Sequence, residues 1–164
     1  MTDAAPPAPG LRWAVKRSFV DYVQRMPDGR AAVADGARPL PDNQILFAPD
    51  PSVAPPTDGL DRFWAFSGQV WFDGHAGMLF VQVSAPWIAV RDGTAELSVA
   101  DTGNGGRLTL VTLRLEPGPA PADDLQVWHG TEVALTAAGS GVFNDVYPPG
   151  EPFETLTVTV PSEA

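Results

Sequence analysis

The spacing of apolar residues divides the chain into one helical stretch and a longer series of strands. Between residues 11 and 26 the apolar positions are Leu11, Val15, Phe19, Tyr22, Val23 and Met26. This is the spacing of one helix face, and "PDG" at 27–29 ends the run, so we predict an amphipathic helix over 11–26. On that helix Tyr22 falls within the apolar stripe and is predicted to point toward the body of the protein, with Ser18 one turn earlier at the edge of the stripe.

Beyond the helix the apolar period changes to two, which is typical of strands. Residues 62–73 alternate apolar and polar positions, and residues 78–84 follow the tight "GHAG" at 74–77, so we predict a β-hairpin. Further strands are predicted at 44–48, 87–91, 95–101, 107–115, 125–129 and 155–160, separated by turn sequences such as "RDGT", "DTGNGG" and "EPGPAPADD". Residues 135–150 break this pattern and predict a short helical turn followed by a loop.

These elements predict a mainly β fold built as one domain. The fold class is an antiparallel two-layer β-sandwich or open barrel, with an N-terminal α-helix packed on it and a short C-terminal helical turn. A chain of 164 residues is long enough for one core, and its 18 prolines and 16 glycines suit many turns. We predict that residues 1–10, "MTDAAPPAPG", form a flexible Pro/Ala-rich arm and that residues 11–161 form the domain.

The charge of the chain narrows the choice of partners. The net charge of -10 argues against nucleic acid, which is bound through lysines and arginines that neutralise phosphates. Residues 1–38 nevertheless carry six basic and four acidic groups, so a basic helix lies on an acidic body. Such a helix face either meets an anionic ligand or is simply solvated.

The sequence lacks cysteine and shows no targeting segment, and these two features bear on the redox chemistry and the location of the protein. Cysteine is absent, which excludes disulfides, thiolate zinc sites and thiol catalysis. The sequence shows no export signal and no run near the ~18 apolar residues of a membrane span. As written, it predicts a cytoplasmic protein; a chain trimmed of a signal or anchor would read the same and be secreted or held at the cell surface.

The candidate catalytic groups are few, so we predict that the protein is not an enzyme. The only histidines, His75 and His129, lack metal-ligand spacing, and Ser140 in "GSG" lacks the context of a nucleophile elbow. His75 lies between Gly74 and Gly77, where it is either a solvated turn residue or a side chain with room for a bulky ligand beside it. Tyr147 in "VYPPGEPF" either lines a pocket or anchors its loop.

Three segments together resemble a known family. They are "LRWAVKRSFVDYV" at 11–23, "FSGQVWFDGHAGMLFVQVSAPWIAV" at 66–90 and "LTAAGSGVFNDVYPPGEPFETLTVTV" at 135–160. With the "LTLVTLRL" strand between them, they resemble the HtaA domain, the haem-binding module of bacterial surface haem-uptake proteins. The most specific parts are W-x-V-K-x-S-F-x-x-Y-V and F-x-G-H-x-G, and F-x-x-x-Y-P-x-G supports them.

The resemblance implies a site for ferric haem b with a tyrosine as the axial ligand of the iron. In this chain that tyrosine is Tyr22, and His75 would hydrogen-bond it. Ser18 and Phe143 would border the pocket, and Tyr147 matches the tyrosine of the C-terminal pattern. Ferric iron is a hard cation that favours an anionic oxygen, and tyrosine is a known type of haem ligand. A histidine on the phenolate oxygen would orient it and adjust its basicity.

The resemblance also bears on the biological role and its alternatives. It implies haem uptake, transfer or storage, with haem donor or acceptor proteins as partners. The sequence leaves two assemblies open, a single chain that encloses the haem and a homodimer that shares it between two helix faces. Val15, Phe19 and Met26 would flank the porphyrin. The alternative from the residues is a carbohydrate-binding or adhesion β-sandwich that uses exposed tryptophans, since the chain has five.

Overall fold

The computed structural model describes residues 8–101, 105–121 and 124–161, and this part of the chain is mainly β. It contains two α-helices, α1 (Arg17–Arg25) and α2 (Ala137–Val142), and short 3-10 turns at Pro41–Asn43 and His75–Gly77. The strands are β1 (Gly10–Trp13), β2 (Arg30–Ala34), β3 (Ala37–Pro39), β4 (Ile45–Phe47), β5 (Arg62–Ala65), β6 (Gln69–Gly74), β7 (Leu79–Ser84), β8 (Trp87–Arg91), β9 (Thr94–Ala100), β10 (Arg107–Gly118), β11 (Leu125–Leu135) and β12 (Leu156–Pro161).

The strands form a large curled sheet and a small sheet. The large sheet has the order β3-β4-β1-β12-β11-β10-β9-β8-β5 and the small sheet β2-β6-β7, with antiparallel pairing between neighbouring strands. The register of β10 shifts against both of its neighbours, and bulges of this kind bend a sheet. The large sheet curls until its two ends meet, because Asp50 N donates to Ala65 O at 2.9 Å and Ser67 N donates to Ala48 O at 2.8 Å. The predicted mainly β, sandwich-like or open-barrel fold is therefore confirmed.

Helix α1 packs on the inner face of the small sheet. Phe19 contacts Phe72 edge to face, with ring centroids 5.2 Å apart, and Val20 and Val23 are buried beside it. Gly74 leaves room for Met26, since a Cβ at that position would lie 2.6 Å from the Met26 sulfur. This packing holds α1 next to the β6–β7 hairpin. The end of the helix and the turn of the hairpin therefore lie at the same end of the molecule.

The predicted helix over 11–26 is wrong in its first half. Residues Gly10–Trp13 form a strand in the large sheet, where Leu11 pairs with Val158 and Phe47, and the helix begins only at Arg17. Val15 breaks the run with a φ of 62°. Apolar residues of a strand and a helix joined by a sharp turn happened to have helical spacing. Tyr22 therefore does not share a stripe with Leu11, and it is half exposed instead of buried.

The long strand predicted over 62–73 is two strands in two different sheets. β5 belongs to the large sheet and β6 to the small one, and Gly68, with a φ of 109°, lies in the connection between them. The β6–β7 hairpin, the later strands and the helical turn after residue 135 are confirmed, whereas β2 and β3 were missed. Residues 1–7 of the predicted arm, residues 102–104 of the loop "TGNGGR" and residues 122–123 of "EPGPAPADD" lie outside the described ranges, and Gly10 already belongs to β1.

Candidate functional site

A tyrosine and a histidine from separate elements meet at the surface. The Tyr22 hydroxyl oxygen of α1 lies 2.6 Å from His75 Nε2 of the β6–β7 turn, and the ring centroids are 5.9 Å apart. Tyr22 is 49% exposed, so the hydroxyl group is held by the histidine without being covered by it. The two residues that the sequence analysis paired are thus in hydrogen-bonding contact.

Helix α1 presents Tyr22 because its other apolar residues are used in packing. Phe19, Val20 and Val23 face the core, with Phe19 against both Phe72 and Phe143. Tyr22 is next to this face on the helix, so its ring begins at the edge of the core and its oxygen reaches the surface. Its outward position follows from a helix that begins at Arg17.

The turn that carries His75 has an unusual backbone. His75 and Ala76 have φ values of 51° and 55°, a left-handed conformation that costs about 1 to 3 kcal/mol for residues with a Cβ. The Asp28 carboxylate accepts both of their amide protons, from His75 N at 3.1 Å and from Ala76 N at 2.7 Å. These hydrogen bonds, that of Ala76 first, hold the pKa of Asp28 below its usual value.

The second tyrosine lies deeper, against Phe19 of α1. Tyr147 is partly buried against Phe143 and Phe153, and its side chain interacts with that of Ser18. Burial raises the pKa of Tyr147. The Ser140 hydroxyl donates to the Tyr147 carbonyl at 2.5 Å, which fixes the loop after α2.

Four of the residues predicted to border or flank the ligand are buried. Phe143 is 1% exposed and lies beneath Tyr147 in the aromatic cluster, so it supports the site from below and does not line its surface. Phe19 and Met26 are likewise buried, and Val15 is fully buried in the turn before α1. The sequence pattern shows that these positions are apolar, but it does not show whether their side chains are buried or exposed.

A network that the sequence analysis missed ties the start of α1 to the loop before β12. Buried Lys16 donates from Nζ to Pro152 O at 2.8 Å and forms an ion pair with Glu151 at 3.0 Å. Glu154 accepts the first amide proton of the helix, Arg17 N to Oε2 at 3.2 Å. Lys16 is the N-cap residue of α1, but a helix predicted over 11–26 places it in the helix interior, so the sequence pattern gives no signal for its role.

Large exposed apolar side chains occur on three segments, namely α1, the β6–β7 hairpin and the loop after α2. In the described ranges they are Tyr22 on α1, Met78 and Phe80 on the β6–β7 hairpin, and Val146 on the loop after α2. Phe80 lies on the outward face of the small sheet, because it alternates with buried Leu79 and Val81. Tyr22 and Met78 lie on the two segments that meet at the tyrosine–histidine contact, whereas Phe80 is on the sheet face opposite to α1.

The alternative tryptophan platform has little exposed surface. Trp13 is fully buried and the other four tryptophans are half-buried. Trp87 is further covered by the Arg107 guanidinium, 3.6 Å from the ring centroid, and burial lowers the pKa of Arg107 to about 10.

His129 lies on β11 of the large sheet, away from the small-sheet turn of His75, and the described residues contain no group of three potential metal-ligating side chains. No described helix is long and apolar enough to cross a bilayer.

The fold and this site define a compact β-rich domain that presents a tyrosine–histidine pair on a partly apolar surface. The HtaA family model (Htaa) matches residues 9–159, nearly the whole chain, and the protein therefore belongs to the HtaA family. This confirms the resemblance drawn from the three sequence segments.

Solved structures of similar fold come from Corynebacterium glutamicum. The C-terminal domain of its HtaA has a TM-score of 0.72 and 22% identity over 93% of this chain and 94% of that one. The N-terminal domain of HtaA has a TM-score of 0.71 and 24% identity over 97% and 100%. The haem-binding protein HtaB has a TM-score of 0.63 and 20% identity over 91% and 90%. A comparison with curated proteins found no match.

Proposed function

We propose that this domain binds ferric haem at its surface, with the Tyr22 oxygen as the axial ligand and His75 hydrogen-bonded to that oxygen. The observation that carries the proposal is the 2.6 Å contact between Tyr22 Oη and His75 Nε2 at a half-exposed phenol. Membership of the HtaA family supports haem as the ligand class, and so does the fold shared with HtaB, which is described as a haem-binding protein.

The residues around Tyr22 fit a porphyrin in their chemistry. A porphyrin has apolar faces, and exposed apolar groups lie on the three segments that converge here, including Met78 and Val146. The phenol oxygen is the type of donor that suits a hard ferric iron. Of the two tyrosines in the chain, Tyr22 is the suitable one, because burial raises the pKa of Tyr147 and so disfavours its phenolate.

His75 can accept the proton that a phenol must release before it binds iron as an anion. In the free protein the Tyr22 O–H donates to Nε2 when the imidazole proton is on Nδ1. Once the phenol is deprotonated, an Nε2–H group donates to the phenolate oxygen across the same contact. His75 therefore receives the proton and holds the anionic oxygen in place, and ferric haem supplies the Lewis acid that favours the anion.

This arrangement suits capture and hand-over of haem, and we propose no catalytic turnover. A half-exposed tyrosine is accessible to an incoming haem and to a protein that removes it. We therefore propose haem donor and acceptor proteins as partners. Size-exclusion chromatography with and without hemin will distinguish a monomer from a haem-linked homodimer.

The test is a titration of the purified protein with ferric hemin, followed by absorption spectroscopy. Wild type is expected to give a saturable, high-spin phenolate-type spectrum, which Tyr22→Phe abolishes and His75→Ala shifts. Tyr147→Phe is the matched control, because it also removes one phenol hydroxyl, and it should retain the phenolate spectrum. A wild-type spectrum in Tyr22→Phe would overturn the ligand assignment, and the absence of any saturable complex would overturn haem binding.

A further inference from the structure

The left-handed turn at His75 and Ala76 places the histidine where it can reach Tyr22. Both residues carry a Cβ and have positive φ values, so this conformation is not one that the isolated segment favours. The following Gly77 also has a positive φ, of 87°. Something outside the turn must hold it in this shape, because otherwise the His75 ring would sample other positions.

Asp28 supplies that hold from outside the hairpin. Its two carboxylate oxygens accept one amide proton each, Oδ1 from His75 and Oδ2 from Ala76. Successive amides in a turn that converge on one anion form a concave binding site for it, and a carboxylate satisfies both amides at once. The anion that occupies this site is a side chain of the protein itself.

Asp28 is also rigidly connected to the helix of Tyr22. It lies in the "PDG" turn directly after α1, where Gly29 N donates to Met26 O and Met26 N donates to Val23 O, each at 3.1 Å. Gly29 packs so closely on the Val23 carbonyl that no Cβ would fit there. On its other side the turn leads into β2, where Arg30 is directly opposite Asp73 of β6 and pairs with it at 3.1 Å.

We propose that Asp28 is the positioning residue of the site, which sets the Tyr22–His75 distance by binding the backbone of His75 to the end of α1. This deepens the proposed function and rests on it. The carboxylate touches neither Tyr22 nor the ligand, and it acts only through His75. Its two oxygens face two amides, and the carboxylate charge strengthens both hydrogen bonds.

The first experiment needs no haem. In Asp28→Asn one of the two acceptor oxygens becomes an NH2 group, which cannot accept an amide proton. Amide hydrogen exchange measured by NMR on the free protein should then be several-fold faster at whichever of the His75 and Ala76 amides loses its acceptor, with the core strands unchanged and the fold retained by circular dichroism. Unchanged exchange at both amides would overturn the proposal whether or not the protein binds haem.

The matched control is Asp21→Asn. Asp21 is adjacent to Tyr22 on α1, is exposed and makes no hydrogen bond or ion pair within the part of the chain that the structure describes. The substitution likewise replaces one carboxylate by an amide, but it leaves the acceptors of the His75 and Ala76 amides in place. Asp21→Asn should leave both amides and the ferric-hemin spectrum as in wild type.

The second experiment asks whether Asp28 acts through His75. Asp28→Asn should move the ferric-hemin spectrum toward that of His75→Ala and speed hemin release, whereas adding Asp28→Asn to His75→Ala should change neither quantity further. An effect of Asp28→Asn that persists in the His75→Ala background would contradict the proposal, because it would show a general structural role. If wild type forms no Tyr22-dependent complex, the proposed function fails, and the amide-exchange result still decides whether Asp28 holds the turn.

Discussion

The Lys16 network gives the sharpest stability prediction, because its energy can be worked out from named contacts. Lys16→Met keeps most of the buried aliphatic stem and removes only the ammonium group. The bond to the Pro152 carbonyl is charge-assisted, worth about 1.5–3 kcal/mol. The ion pair with Glu151, whose side chain is 29% exposed, adds about 0.5–1 kcal/mol. We therefore expect Lys16→Met to lower the free energy of unfolding by about 2–4 kcal/mol.

The assay is thermal and urea unfolding of the ligand-free protein. For a domain of this size 1 kcal/mol corresponds to about 2–4 °C, so Tm should fall by about 4–16 °C. The control is Arg114→Met, which removes a cation from a 3.9 Å pair with Glu132 in which both side chains are largely exposed. It should change stability by less than about 0.5 kcal/mol. If Lys16→Met is no more destabilising than Arg114→Met, the claim that Lys16 ties α1 to the loop before β12 is refuted.

Further predictions concern α2, its N-cap and the buried tyrosine. Gly141→Ala should stabilise α2 by up to about 1 kcal/mol, because the new Cβ would lie in open space. Gly139→Ala should destabilise α2, because the new Cβ would clash with the Leu110 carbonyl. Urea unfolding of both variants distinguishes the two outcomes. Thr136→Ala should cost about 1–2 kcal/mol in the same assay, because the Thr136 hydroxyl accepts from Gly139 N at 2.8 Å, and a cost near zero would contradict its capping role. Because the pKa of Tyr147 is raised in the folded protein, its protonated phenol contributes stability below the ordinary pKa of 10.0, and this contribution is lost as pH rises through the higher folded pKa. Alkaline unfolding should therefore occur at higher pH in Tyr147→Phe, and identical alkaline profiles would count against this.

Most strands could be predicted because each has one face buried and turn residues at its ends. β7 and β8 are examples, where alternation and the flanking glycine and proline were enough to locate them. β2 and β3 were missed because they are short and have no fully buried residue, and β2 pairs with a strand about 40 residues away. The strand–turn–helix at 10–25 was predicted as one helix, since periodicity does not register the left-handed turn at Val15.

The candidate site could be predicted in part, for a related reason. Tyr22 and His75 were found through family motifs, and their contact follows once α1 lies on the small sheet. Asp28 and Lys16 were not singled out, because their partners are backbone groups 47 and 136 positions away, and no local pattern records such contacts. Phe143 is assigned to the border of the pocket by the family resemblance, which does not show that its side chain is buried beneath Tyr147.

The measurement that tests the central claim most directly is resonance Raman spectroscopy of the equimolar complex with ferric hemin. Wild type and Tyr147→Phe should both show phenolate and iron–phenolate vibrations, and Tyr22→Phe should show neither. If these bands persist in Tyr22→Phe, or are lost in Tyr147→Phe alone, Tyr22 is not the ligand and the account of the site is contradicted.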